Sequence, residues 1–238
     1  MNLRKNHLLT IFINSKTVPN QEQYEEKIMQ IKGNDRGFSL VEMSIVLIII
    51  GLILGMVFKG KDLINSARQK SFYNKFLKAW ELSVVNYYDR TGQLLGDSTL
   101  NGGTAASANF HFDNIAGSTF GAAGGIDATL KKVGLEVPVS NLSNSGQYSY
   151  NGVYSGERTI TMYLYWLYSN NDAQYHNALY LVGVPTDLAI ALDSLVDGSV
   201  DARAGNFRQY RDNLSTTGAW PDASTTAVVN AMYLIQVP

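Results

Sequence analysis

Glu42 is the residue whose chemistry most needs a partner. It stands near the start of "FSLVEMSIVLIIIGLILGMVF", residues 38–58, a run that is otherwise almost wholly apolar. An ionised carboxylate is costly within a membrane, and one is kept where a partner compensates it. Other candidates for chemistry are few. The three histidines are His7, near the start, and His111 and His176, in polar stretches, and their spacing gives neither a ligand triad nor a catalytic pair. Asp193 and Asp197 share a helix face and Asp201 follows. Such carboxylates can bind calcium, yet their spacing matches no calcium loop, and solvation of a helix end explains them as well. The chain has no cysteine, which excludes disulfides, thiolate metal sites and cysteine nucleophiles. No cofactor and no metal are expected, and the missing constellation argues against an enzyme.

The elements that carry Glu42 come next. Residues 38–58 measure roughly 31 Å as a helix, one hydrocarbon thickness. Arg36 precedes the run, Lys59 and Lys61 follow it, and no other stretch rivals its length. A single membrane crossing or anchor is implied. An ordinary secretory signal is shorter and has its small residues after the apolar run, whereas Gly37 lies before it. Beyond the membrane, Leu63, Ile64, Ala67, Phe72, Phe76, Leu77, Trp80, Val84, Tyr87 and Tyr88 recur at helical spacing. The pattern predicts one helix from Phe38 to Arg90, closed by Gly92. Lys61, Arg68, Lys70, Lys75 and Lys78 fall on other faces. They can be read as a nucleic-acid patch or as a solvated face. The net charge of -1 favours the second, and no specific nucleic acid is expected.

Residues 92–127, rich in Gly, Ala, Ser, Thr and Asn, read as a long surface loop with short elements at most. Then "QYSYNGVYSG" and "ERTITMYLYWLY" predict a hairpin, with Ile160, Met162, Leu164 and Trp166 on the face that meets the long helix. "NALYLVGV" (177–184) and "AMYLIQV" (231–237) add strands. Between them Thr186 is expected to cap a short helix with Leu188, Ala191, Leu192 and Leu195 on its apolar face, ended by Gly198. The fold class is therefore α+β. A long N-terminal helix, half transmembrane and half amphipathic, packs on a C-terminal antiparallel sheet.

Gly37, Phe38, a hydroxyl residue, two aliphatics and Glu42 together resemble the prepilin signature of type IV pilins and type II secretion pseudopilins. The resemblance implies cutting after Gly37 on the cytoplasmic side and methylation of the new amine on Phe38. It makes Glu42 the fifth mature residue and assigns it to subunit assembly, with the Phe38 ammonium of its own or a neighbouring chain as partner. Two further segments resemble pilin-like proteins. "YYDRTGQLLGD" has Leu95 where proline is common, and the stretch around Asp193, Asp197, Gly198 and Gly205 has Val196 where a second aspartate is common.

The resulting expectation is a leader over 1–37, a transmembrane and filament-core helix over 38–58, its amphipathic continuation over 59–92, and a pilin-like domain over 93–238. Met29 opens a short basic leader, "MQIKGNDRG", and is a second candidate start. The partners implied are identical or related pilin subunits, the prepilin peptidase and N-methyltransferase, an inner-membrane assembly platform and membrane lipid. The place implied is the inner membrane before assembly, and a periplasmic pseudopilus or surface filament after it. The rival reading is a membrane-anchored periplasmic binding module that does not polymerise. A simple anchor has no need of Glu42.

Overall fold

The computed structural model describes residues 37–169, 172–210 and 218–236. The expectations for residues 1–36, among them the Met29 start, lie outside the described residues. The chain divides into two compact units, Met1–Met56 and Val57–Pro238.

Helix α1 spans Leu40–Phe72. Its Val- and Ile-rich first half is not a strong helix former in water. In lipid, however, a helix is the form that satisfies every backbone group within one segment. The expected single helix is interrupted once. A π turn at Tyr73–Leu77 leads into α2, Lys78–Thr91. In that turn the Lys78 N–H reaches back five residues to the Tyr73 carbonyl. The extra residue brings Phe76 and Leu77 onto one side, so that Phe72, Phe76, Leu77, Trp80 and Val84 are all buried together. Gly92 ends α2 as expected, at φ 68°, with its N–H on the Tyr88 carbonyl at 2.7 Å.

The sheet has six antiparallel strands: β1 Ile115–Ala116, β2 Gln147–Gly152, β3 Gly156–Ser169, β4 Gln174–Pro185, β5 Phe207–Gln209 and β6 Val228–Leu234. Their order is β1-β3-β4-β6-β5, with β2 also paired to β3. Leu164 of β3 stands opposite Leu179 of β4, and Met162 opposite Leu181. These four residues and Ile160 share one core with the helix residues Phe72 and Trp80. Trp166 lies in the same alternation but falls past that core, half-exposed, and stacks on His111 at 3.7 Å between ring centroids. The opposite face holds a second, smaller cluster of Leu167, Ala178, Met232 and Leu234.

Several expectations need correction. Residues 92–127 are not merely a surface connection, because Leu94, Leu95, Asp97, Phe112 and Phe120 are buried. The segment also supplies β1 and the first residues of helix α3, Ile126–Lys132. His176 sits in β4 and not in a loop. Helix α4, Thr186–Asp197, has Pro185 and not Thr186 at its N-cap. The Thr186 hydroxyl instead donates to the Thr226 carbonyl at 2.5 Å, tying the helix start to the segment before β6. Leu188 and Leu192 are buried on α4 as expected, but Ala189 and Asp193 are buried with them and Leu195 is exposed. Strand β5 is too short to show periodicity.

Candidate assembly and processing site

Gly37 and Phe38 lie outside regular secondary structure just ahead of α1 and are both exposed. Ser39 is the N-cap, its carbonyl accepting the first helical bond from the Met43 N–H at 3.1 Å. The Ser39 hydroxyl accepts from the Glu42 N–H at 3.1 Å. In return Glu42 Oε2 accepts from the Ser39 N–H at 2.8 Å and the Ser39 hydroxyl at 3.0 Å. This is a reciprocal capping box, two free donors of the helix start satisfied by one Ser-x-x-Glu pair. Glu42 also lies in the first turn, where the helix dipole favours an anion.

The pair is legible in the sequence as the Ser-x-x-Glu spacing of "SLVE", which the charge of Glu42 alone does not reveal. Its chemical consequence is specific. The box fixes the carboxylate beside the backbone nitrogen of Ser39, one residue from Phe38, and both accepted bonds fall on Oε2. Among the described residues the other carboxylate oxygen takes no hydrogen bond, which leaves it for a further donor.

The aspartates of the second unit serve its loops. Asp97, fully buried, accepts from the N–H groups of Asn109 and Phe110, each at 2.9 Å. Asp197 accepts from Asn206 and Phe207 at 2.8 and 2.9 Å. Asp193 Oδ2 accepts from the Trp220 indole and the Asp201 N–H, both at 2.7 Å. Burial pushes the Asp193 carboxyl above its ordinary value, against these two bonds, which pull it down. Trp220 as partner was not foreseeable from spacing. Among the described residues no group of three or more His, Cys, Asp and Glu side chains can hold a metal ion. The carboxylates are turned instead onto backbone donors.

Near the β3–β4 turn, Arg208 of β5 and His176 of β4 both reach Asp172 Oδ2, at 3.1 and 2.9 Å. Burial opposes ionisation of Asp172, but Arg208, Ser169 and His176 outweigh it and hold the group at about 2. The Ser169 hydroxyl accepts from Arg208 at 3.1 Å, and the cluster ties β3, β4 and β5 together.

Residues 32–58 match the family model described as the prokaryotic N-terminal methylation motif. The chain carries the type IV pilin and pseudopilin signal. No curated protein and no solved structure matches it in comparison. The motif covers the capping box and the whole apolar run, and it ends at Phe58, where the helix leaves its apolar stretch. With the long N-terminal helix and the antiparallel sheet, the architecture is a pilin-like α+β arrangement. Such a signal implies processing by a peptidase and assembly with other pilins.

Proposed function

We propose that the chain is a structural subunit of a type IV pilus or pseudopilus. It is inserted once in the inner membrane, cut between Gly37 and Phe38, methylated on Phe38, and polymerised through α1. One observation carries the reading. The most apolar window of the helix has a mean hydropathy of 2.7 and is 0% buried within the chain. A surface of that kind requires lipid or neighbouring helices around it. The methylation motif on the same residues supports a segment that uses both in turn.

The Phe38 ammonium created by cutting is one residue from the backbone N–H that Glu42 already accepts. A neighbouring chain can bring its own ammonium to the open oxygen of Glu42. The charges are then compensated when helices are bundled, which favours assembly and fixes axial register. The globular residues form the filament exterior. Mass spectrometry of the chain from cell membranes tests processing, with Phe38 as the expected first residue, N-methylated. Copurification with filaments tests polymerisation. A processed chain that never enters a filament supports the anchored binding module in its place.

A further inference from the structure

We propose that the Ser39–Glu42 capping box starts α1 just past the Gly37–Phe38 bond and so holds that bond unwound for the peptidase. The inference rests on the processing reading above. Hydrolysis adds water across the bond, leaving a carboxylate on Gly37 and an ammonium on Phe38. The peptidase must reach the Gly37 carbonyl, and a bond wound into a helix has to open first. The first helical bond of α1 falls on the Ser39 carbonyl, from the Met43 N–H. The Gly37 carbonyl therefore stands ahead of the helical ladder. No packing keeps it there, since Phe38 is 81% exposed and a Cβ on Gly37 would meet nothing within 4 Å among the described residues. The start of the helix is what decides.

By sequence, other starts compete. Asn34 and Asp35 lie just upstream, and both residue types cap helices as well as serine does. A start at either would put Gly37 and Phe38 in the first turn and turn the Gly37 carbonyl onto the Val41 N–H. Two features favour Ser39 instead. Three residues after Asn34 or Asp35 stand Gly37 or Phe38, neither of which can return the bond of a capping box. Three residues after Ser39 stands Glu42, whose Oε2 accepts from the Ser39 N–H at 2.8 Å. Gly37 is the second feature, because glycine is among the poorest helix formers.

Without the box, the start moves upstream and does not fray inward. Leu40 and Val41 open the apolar run, where backbone groups left without partners are costly. The two outcomes leave opposite marks on one amide. In a helix capped by Ser39 the Val41 N–H belongs to the first turn, which lacks helical partners. An upstream start gives that N–H the Gly37 carbonyl and protects it, whereas fraying leaves it open. Ser39 is thus a positioning residue for the cut, acting through the helix start and not on the scissile bond itself.

The test is the initial rate at which purified prepilin peptidase cuts the full chain in detergent, beside hydrogen exchange of the Val41 amide read by mass spectrometry. Ser39→Ala and Glu42→Ala should each slow the cut roughly 3- to 30-fold, the range that a lost cap allows, and slow Val41 exchange in parallel. A slowed cut still runs to completion, so the Ser39→Ala chain still matures. Ser39→Thr and Glu42→Gln keep the box and should stay within about twofold of the natural rate. In the Ser39→Ala chain, Asn34→Ala with Asp35→Ala removes the upstream caps and should restore most of the lost rate. A natural rate for Ser39→Ala overturns the proposal. A slowed cut with Val41 exchange unchanged or faster also overturns it, and assigns the Ser39 hydroxyl to direct contact with the peptidase. A natural chain that is not cut after Gly37 overturns the processing reading and this proposal with it.

Discussion

The Tyr233 hydroxyl donates to Glu81 Oε2 at 2.7 Å, joining the last strand of the sheet to α2 across 152 residues of sequence. Lys78 bonds the same oxygen at 2.7 Å, so the carboxylate serves one neutral and one charged donor. Tyr233 is buried at 6% exposure, and Glu81 is only partly exposed. Tyr233→Phe keeps the ring and removes the donor. Losing a hydrogen bond to a charged group typically costs about 1–3 kcal/mol. Thermal unfolding of the full chain in detergent should show a loss in that range with the fold unchanged, and an unaltered midpoint would deny the bond any role.

The same contact sets a high-pH limit. Burial pushes the Tyr233 phenol far above its ordinary value, and the Glu81 carboxylate adds to the rise. Burial together with Asp187 pushes Tyr150 up to about 12, although Arg68 opposes. A phenol whose proton is held more tightly in the folded state stabilises fully below the ordinary value of 10.0 and loses that contribution as pH rises through the folded value. Stability should be flat to about pH 10 and fall from there to pH 12 and above. Tyr233→Phe should make the fall shallower in a pH series of unfolding midpoints.

Asp193 predicts an opposite pair of outcomes from two substitutions. One oxygen serves Trp220 and the Asp201 N–H, and the other is buried without a partner among the described residues. Its raised value, caused first by burial, means that its stabilising contribution is full below 3.8 and is lost as pH climbs through the folded value. Asp193→Asn keeps an acceptor for both donors and removes the buried charge. Its stability at pH 7 should equal or exceed that of the natural chain, with a flatter profile between pH 4 and 7. Asp193→Ala leaves the Trp220 and Asp201 donors unpaired and should cost about 1–3 kcal/mol. A destabilised asparagine variant would show that the ionised carboxylate is the form the loop requires.

Gly198 and Gly205 separate backbone strain from crowding. Both have left-handed backbones, at φ 74° and 82°. A Cβ on Gly198 meets nothing within 4 Å, whereas one on Gly205 overlaps the Asp197 carboxylate that holds Asn206 and Phe207. Gly198→Ala should cost about 1–2 kcal/mol, the conformational penalty alone. Gly205→Ala should cost clearly more, because it also dislodges the bonds that start β5 and seat the buried Phe207. Equal losses in matched unfolding curves would mean that Asp197 simply moves aside.

What the sequence made legible follows from periodicity. The apolar run, the stripe from Phe72 to Val84 and the alternation from Ile160 to Leu164 each repeat often enough to reveal a helix or a strand face. So do the single-residue stops Gly92 and Gly198. The π turn left no such trace, since Phe76 and Leu77 read as ordinary neighbours until the extra residue brings both inward. Buried Leu94, Leu95 and Phe120 sit among small polar residues, and Asp97 within the segment and Asn177 from β4 supply the bonds that let it enter the core. Trp166 obeyed its alternation but not its burial, because a strand of 14 residues outruns the helix above it. At the candidate site, charge pointed to Glu42, but only the geometry showed Ser39 holding it.

Those two roles of Glu42, cap and charge, can be told apart by substitution. Gln is as suitable as Glu at this position of a capping box, so Glu42→Gln keeps the helix start while removing the anion. Ser39→Ala does the reverse, weakening the cap and preserving the carboxylate. Glu42→Ala removes both. If the anion pairs with the Phe38 ammonium of a neighbour, Glu42→Gln and Glu42→Ala should both abolish or severely reduce filaments, because every added subunit would bury an uncompensated cation. Ser39→Ala should assemble to a substantial fraction of the natural yield. Membrane insertion should be unharmed in the glutamine variant, since a carboxylate has left an apolar segment. Cutting after Gly37 should persist, because Glu42 is not at the scissile bond. The measurement is sheared filament yield beside membrane-fraction level and N-terminal mass, for all four chains. Normal filaments from Glu42→Gln with none from Glu42→Ala would assign the residue to the cap and remove the charge from the mechanism of assembly.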